Sequence, residues 1–180
     1  MQHYNPIQYR RNFLKIGKIK DSHILDVGTG SGYLAILAAK GFNCKVTSID
    51  IYSEKIEKAK EKADKEKVLN KIQFKLQDIK KPFLDKNSFD AVLSFSALHH
   101  INNYPKAINE MFRIAKEKII ISELNAKGVE IFDKYVHPDE NHKKMAIELN
   151  KLNKVLKKHT SKIKRHKTKL MDIFVCEKEK

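Results

Sequence analysis

Residues 24–32 read Ile-Leu-Asp-Val-Gly-Thr-Gly-Ser-Gly, with Asp26 closing an apolar run and glycines at positions 28, 30 and 32. A helix pattern, Tyr33-Leu-Ala-Ile-Leu-Ala-Ala, follows at once. Strand, glycine turn and helix in that order make a ligand loop. Glycine lacks a Cβ, so a ligand can lie directly against the backbone. The helix N-terminus then aims free N–H groups and the positive end of its dipole at that ligand. The spacing is not G-x-G-x-x-G, in which the helix holds a pyrophosphate, and the Gly-Lys-Ser/Thr of a P-loop is absent. A carboxylate beside the loop is a poor neighbour for pyrophosphate and a good one for a cation.

A cationic nucleoside such as S-adenosylmethionine (SAM), with its sulfonium and ammonium, fits that requirement. Here the chain resembles the class I SAM-dependent methyltransferases, whose first motif is (D/E)-x-G-x-G-x-G, and most of all their small "type 11" domains. Three further stretches carry the resemblance in order. Lys45-Val-Thr-Ser-Ile-Asp50 is a second strand ending in an acid, 20 residues after Gly30. Ile72-Gln-Phe-Lys-Leu-Gln-Asp78-Ile79 is a third. Phe89-Asp90-Ala-Val-Leu-Ser94-Phe-Ser-Ala-Leu-His99-His100 is a fourth strand with its exit loop. The resemblance implies that Asp50 takes the ribose hydroxyls, that Ile51 lies against adenine, and that Asp78 with the backbone of Ile79 reads the base. It implies a SAM-binding set of Asp26, Gly28, Thr29, Gly30, Gly32, Asp50, Ile51, Asp78, Ile79 and Ser94, with S-adenosylhomocysteine as product.

The implied fold is α/β: a Rossmann-like, doubly wound, seven-stranded sheet, mostly parallel, with an antiparallel C-terminal strand. The almost wholly apolar first and fifth strands fit a sheet covered on both faces. The patterns place helices at 6–19, 31–40, 54–68 (with Ser53 as N-cap), 105–116, 129–136 and 141–159. Strands are expected at 23–27, 44–50, 72–77, 89–95, 119–124, 162–167 and 169–177, with a turn at Glu117-Lys118. At 180 residues the default is one domain. It divides into a basic N-terminal segment (1–20), a SAM-binding core (21–124) and a variable helical region with a C-terminal strand pair (125–180).

The net charge of +15 is concentrated at the ends. Residues 1–20 carry +5 and residues 142–180 carry +9, which leaves +1 between them. A localised basic surface suggests an anionic partner, and a solubilising lysine face is the plainer reading. No stretch of about 18 apolar residues suggests a membrane span. Cys44 and Cys176 form no CxxC pair and read as reduced, buried thiols. With no leader pattern at the N-terminus, a cytoplasmic protein is expected.

Methyl transfer mainly requires alignment of nucleophile, methyl and sulfur, and a base only where the nucleophile carries a proton. His99 and His100, just past strand four, are the candidate bases, since an imidazole titrates near neutrality. His137 and His142 are candidates to face the acceptor. With Asp139 and Glu140 between them they suggest a metal site only weakly, and none is expected. The (Asn/Asp/Ser)-Pro-Pro-aromatic motif of base-amine methylases is missing after strand four, and neither cysteine is placed to attack a pyrimidine. The leading expectation is therefore a small-molecule or lipid-like acceptor, possible anionic groups included. RNA is the alternative, through the basic ends, and a non-catalytic SAM-binding partner module is a third reading.

Overall fold

The computed structural model describes residues 4–81, 84–136 and 138–179. Seven strands form one sheet in the order β3-β2-β1-β4-β5-β7-β6. They are β1 (His23–Val27), β2 (Lys45–Asp50), β3 (Ile72–Leu76), β4 (Phe89–Phe95), β5 (Ala115–Leu124), β6 (Ile163–Lys167) and β7 (Met171–Glu177). The pairs among β1–β5 are parallel, and β7 runs antiparallel to both β5 and β6. This is the expected fold class.

Alternation along the strands divides the core between two faces. Ile24, Val46, Leu93 and Ile120 pack with Phe13 and Leu14 of α1 (Pro6–Ile16), with Leu34, Ala35 and Ala38 of α2 (Tyr33–Gly41), and with Ala63 of α3 (Ser53–Lys65). Leu25, Val92, Ile119 and Phe174 pack with Ile108 and Met111 of α4 (Tyr104–Ile114) and with Leu152 and Leu156 of α7 (Leu149–Leu156). Both cysteines are buried free thiols. The edge strand β6 exposes Lys164 and Lys167, charges that oppose edge-to-edge pairing. Among the described residues no helix is long and apolar enough to cross a membrane.

Several local expectations are corrected. The single helix at 141–159 is broken into α6 (His142–Met145) and α7, because chain direction there is set by tertiary anchors. His142 is pinned to Asp133 through its N–H, while Leu152 and Leu156 seat α7 on the sheet. The helix at 129–136 begins earlier, as α5 (Ala126–Ile131), where the side chain of Asn125 accepts the N–H of Gly128. It continues as a π-helix over Phe132–Val136. Glu117 and Lys118 form no turn: α4 passes straight into β5, where Lys118 pairs with Glu177. Ser53 does not cap α3, whose N-cap is Tyr52 with no side-chain cap bond.

Gly128 sets how closely α5 sits on the turn before β7. A Cβ built there would overlap the carbonyl oxygen of Leu170. Gly128→Ala should therefore cost about 1–3 kcal/mol of stability through overpacking, measured by denaturant titration. An unchanged midpoint would show that α5 is free to shift.

Candidate active site

All three loop glycines have positive φ: 92° at Gly28, 48° at Gly30 and 77° at Gly32. The N–H groups of Gly28 and Thr29 both donate to the carbonyl of Ile49, which ties the loop to the end of β2. At Gly32 an added Cβ would lie 2.8 Å from the Cβ of Ala59, so a side chain there would collide with α3. Over Gly30 the nearest atom to such a Cβ is 4.0 Å away, and the space is open. No side chain caps α2 at Gly32, so the first-turn N–H groups are left for a ligand.

Beneath the loop lies a buried polar relay. Ser48 Oγ donates to Asp26 Oδ2 at 2.8 Å, and Thr29 Oγ1 lies 2.8 Å from Ser48 Oγ. Asp26 Oδ1 is buried with no hydrogen-bond partner. Burial pushes the Asp26 carboxyl up to about 7, against the Ser48 hydrogen bond and the charge of Arg10, which both pull it down. The Thr29 hydroxyl is thus engaged with Ser48, and a ligand contact at this residue falls to the backbone. Ser94 Oγ, at the end of β4, is likewise buried without a partner.

Asp50 is only half-buried. Its Oδ2 accepts from the Gly30 N–H at 3.0 Å and its Oδ1 from the Tyr52 N–H at 3.1 Å. Ile51 and Tyr52 beside it are 56% and 54% exposed, an apolar platform without a cover. Asp78 accepts from the backbone N–H of Lys80 and lies 3.7 Å from its Nζ. The Ile79 side chain is buried in the core, so its backbone alone remains for a ligand.

Arg10 of α1 is a candidate site residue that the sequence did not single out. Its guanidinium lies 4.7 Å from the Phe95 ring and 5.9 Å from the Tyr33 ring, and its charge acts on Asp26. The basic N-terminus was visible in the sequence. Which of its five cations faces the loop was not.

Past β4, Ser96 adopts a left-handed φ of 52° and turns the chain back over the sheet. The backbone N–H of Leu98 then donates to Glu123 Oε1 at 2.9 Å, and His99 Nδ1–H donates to Glu123 Oε2 at 2.7 Å. The side chains of His99 and Glu123 are only 3% and 2% exposed. His99 Nε2 is buried and has no partner. Burial disfavours the imidazolium of His99, but the Glu123 bond and charge outweigh it, with help from Glu140, and the pKa is raised. His100 lies alongside, ring centroids 4.1 Å apart, and its pKa is lowered by burial and by the charge of His99. The ring of His142 packs 5.7 Å from that of His99, with Nδ1 at 2.9 Å from Asp133 and Nε2 at 3.1 Å from Glu140. His137 lies outside the described residues. Among the described residues no group of His, Cys, Asp or Glu has metal-binding geometry. Glu123 was a missed site residue, although a lone acid closing an apolar strand repeats the signal of Asp26 and Asp50.

Comparison with known proteins agrees with this geometry. Residues 18–175 match the family described as methyltransferase domain. The ubiquinone/menaquinone biosynthesis C-methyltransferase of Rickettsia felis is 34% identical over 102 residues, covering 53% of this chain and 41% of that protein. The chain thus spans less than half the length of that relative. A SAM-dependent methyltransferase from Aquifex aeolicus superposes with a TM-score of 0.73 at 22% identity, over 97% of this chain and 94% of that one. Phosphoethanolamine N-methyltransferase 2 of Haemonchus contortus, solved with phosphomonomethylethanolamine and S-adenosylhomocysteine, gives 0.78 at 17% identity, over 96% and 53%. The unpartnered Asp26 oxygen, the open space above Gly30 and the fixed Asp50 carboxylate fit SAM. The chain belongs to the methyltransferase domain family.

Proposed function

We propose that the chain methylates a small molecule whose nucleophilic atom carries a proton, with His99 as the base that removes it. The observation behind this reading is the buried His99–Glu123 pair. Glu123 holds the Nδ1–H, which leaves the lone pair of Nε2 unengaged. A base oriented by a carboxylate is suited to general-base catalysis. SAM held at the glycine loop would supply an electrophilic methyl on a good leaving group, its C–S electrons returning to sulfur as the acceptor's lone pair takes the methyl. His99 Nε2 would take the acceptor's proton, and Glu123 would stabilise the resulting imidazolium.

Arg10 apart, the cofactor roles are those the family resemblance implies, and charge and shape support them. Asp26 Oδ1 takes the ammonium and Arg10 the carboxylate of the methionine moiety, an opposed pair of charges matched to a zwitterion. Asp50 takes the ribose hydroxyls while the Gly30 and Tyr52 N–H groups hold it in place. Adenine lies on Ile51, with Asp78 and the backbone at Ile79 on its edge. Gly28, Gly30, Gly32 and the Thr29 backbone form the cradle, and Ser94 Oγ borders it at β4. The Rickettsia felis relative is a ubiquinone/menaquinone biosynthesis C-methyltransferase by name, and a small-molecule acceptor is in keeping with that.

Methyl-labelled SAM, the purified protein and a protein-depleted extract, half of it treated with ribonuclease, test the reading. Label is expected in low-mass or organic-extractable material. Label confined to ribonuclease-sensitive polymer would replace the small molecule with RNA, and absence of any label would leave a binding module.

Asp50→Ala should weaken S-adenosylhomocysteine binding, measured by calorimetry, by at least about tenfold. Asp26 binds the ammonium as a carboxylate and titrates near 7 in the ligand-free fold. Affinity should therefore rise about tenfold from pH 6 to pH 8, and Asp26→Asn should remove most of that dependence. His99 must be neutral to act, and its pKa is raised. At saturating SAM, label transfer should accordingly rise with pH through a midpoint above that of a free imidazole. Glu123→Gln removes the charge that favours the imidazolium, so it should shift this acid limb to lower pH while reducing the maximum rate. An unshifted limb would refute the pairing as functional.

A further inference from the structure

A cavity of about 350 Å³ opens at the C-terminal end of β5. It is lined by residues 124–126, which directly follow Glu123, by Val129 of α5, by residues 146–150 and by Arg165 of β6. The volume lies in the range of small-ligand sites.

Sheet order places this cavity relative to the chemistry. The glycine loop leaves β1, His99 follows β4, the cavity begins at the end of β5, and Arg165 stands two strands beyond, across β7. At about 4.8 Å per strand the row from β4 to β6 spans roughly 14 Å, the length of a small molecule. The cavity is also next to the His99 cluster along the chain. His142, whose ring packs on His99, opens α6, and the 146–150 wall begins where α6 ends.

Arg165 is built into place. Its Nε donates to the buried Asp172 at 2.7 Å, and its Nη1 donates to Asn150 at 3.2 Å. Asp172 lies directly opposite Glu123 in the β5–β7 ladder. A guanidinium has five N–H donors in a fork suited to carboxylates and phosphates, and Arg165 uses two of them here. The other charged lining residue, Glu148, is paired with Lys151 at 2.9 Å. The surrounding segment, 142–180, has thirteen Lys or Arg against four acids.

We infer that this cavity receives the far end of the methyl acceptor, an apolar body lying on Leu124 and Val129 and ending in an anionic group held by Arg165. The inference deepens the proposed reading and rests on it for the position of the reacting atom at His99.

The test is fluorescence titration of the protein saturated with S-adenosylhomocysteine. The probes are anilinonaphthalene sulfonate and its uncharged parent, phenylnaphthylamine. The sulfonate is expected to bind at one site. Ala146→Trp, which fills the cavity, should weaken both probes at least about tenfold. Arg165→Gln should weaken the sulfonate about tenfold and the neutral probe less than about twofold. Because Arg165→Gln strands a buried carboxylate, R165Q/D172N is measured beside it and should give the same split. Sulfonate binding that ignores Ala146→Trp, or equal loss of both probes in the two Arg165 variants, overturns the inference. His99→Gln should abolish label transfer and leave probe binding unchanged, so the base and the cavity fail independently.

Discussion

A carboxyl group in the interior of a sheet is costly unless something satisfies it, and Asp26 is satisfied on one oxygen only. Ser48 serves Oδ2 from the neighbouring strand, and Thr29 steadies Ser48 from the loop. Oδ1 is left buried with no hydrogen-bond partner. The positive-φ glycines, the uncapped start of α2 and the approach of Arg10 all surround that vacancy in the hydrogen bonding. Burial raises the Asp26 carboxyl to about 7, which makes it responsive to a cation at neutral pH.

The same device recurs along the rim of the sheet. Each of β1, β2 and β5 ends at or near an acid, and each acid is held by neighbouring backbone or hydroxyl donors. Asp50 is fixed by two backbone N–H groups, and Glu123 by one N–H and an imidazole. Parallel strands expose their C-terminal ends on one side, so these groups form a row there. The row runs from Asp50, past Asp26 and the His99–Glu123 pair, to the Arg165–Asp172 pair. Beside this row, His142 at the start of α6 is pinned to Asp133 and Glu140.

Basic charge elsewhere has a simpler explanation. The lysines of β6 protect an edge strand, and those of α7 cover a helix whose other face carries Leu152 and Leu156 into the core. Arg10 and Arg165 differ from them because each is packed on an aromatic ring and lies beside a buried carboxylate.

Local pattern located the strands and the glycine loop, and the sheet architecture and the cofactor came with the resemblance those motifs carry. Period-2 burial, glycine spacing and strand-terminal acids are properties of neighbouring residues, so Asp26, Asp50 and the His99-His100 pair were legible as they stand. Tertiary structure decided what depends on contacts between distant residues. Glu123 is 24 residues from His99 and Asp172 is seven from Arg165, and only strand register brings these partners together. The break between α6 and α7 has no proline or glycine to announce it, because it is imposed by the pinning of His142 at one end and the burial of Leu152 and Leu156 at the other. Arg10 was one cation among five until α1 packed on the sheet and turned it toward Asp26. A side chain's chemistry is written in its type, but its partner is chosen by the fold.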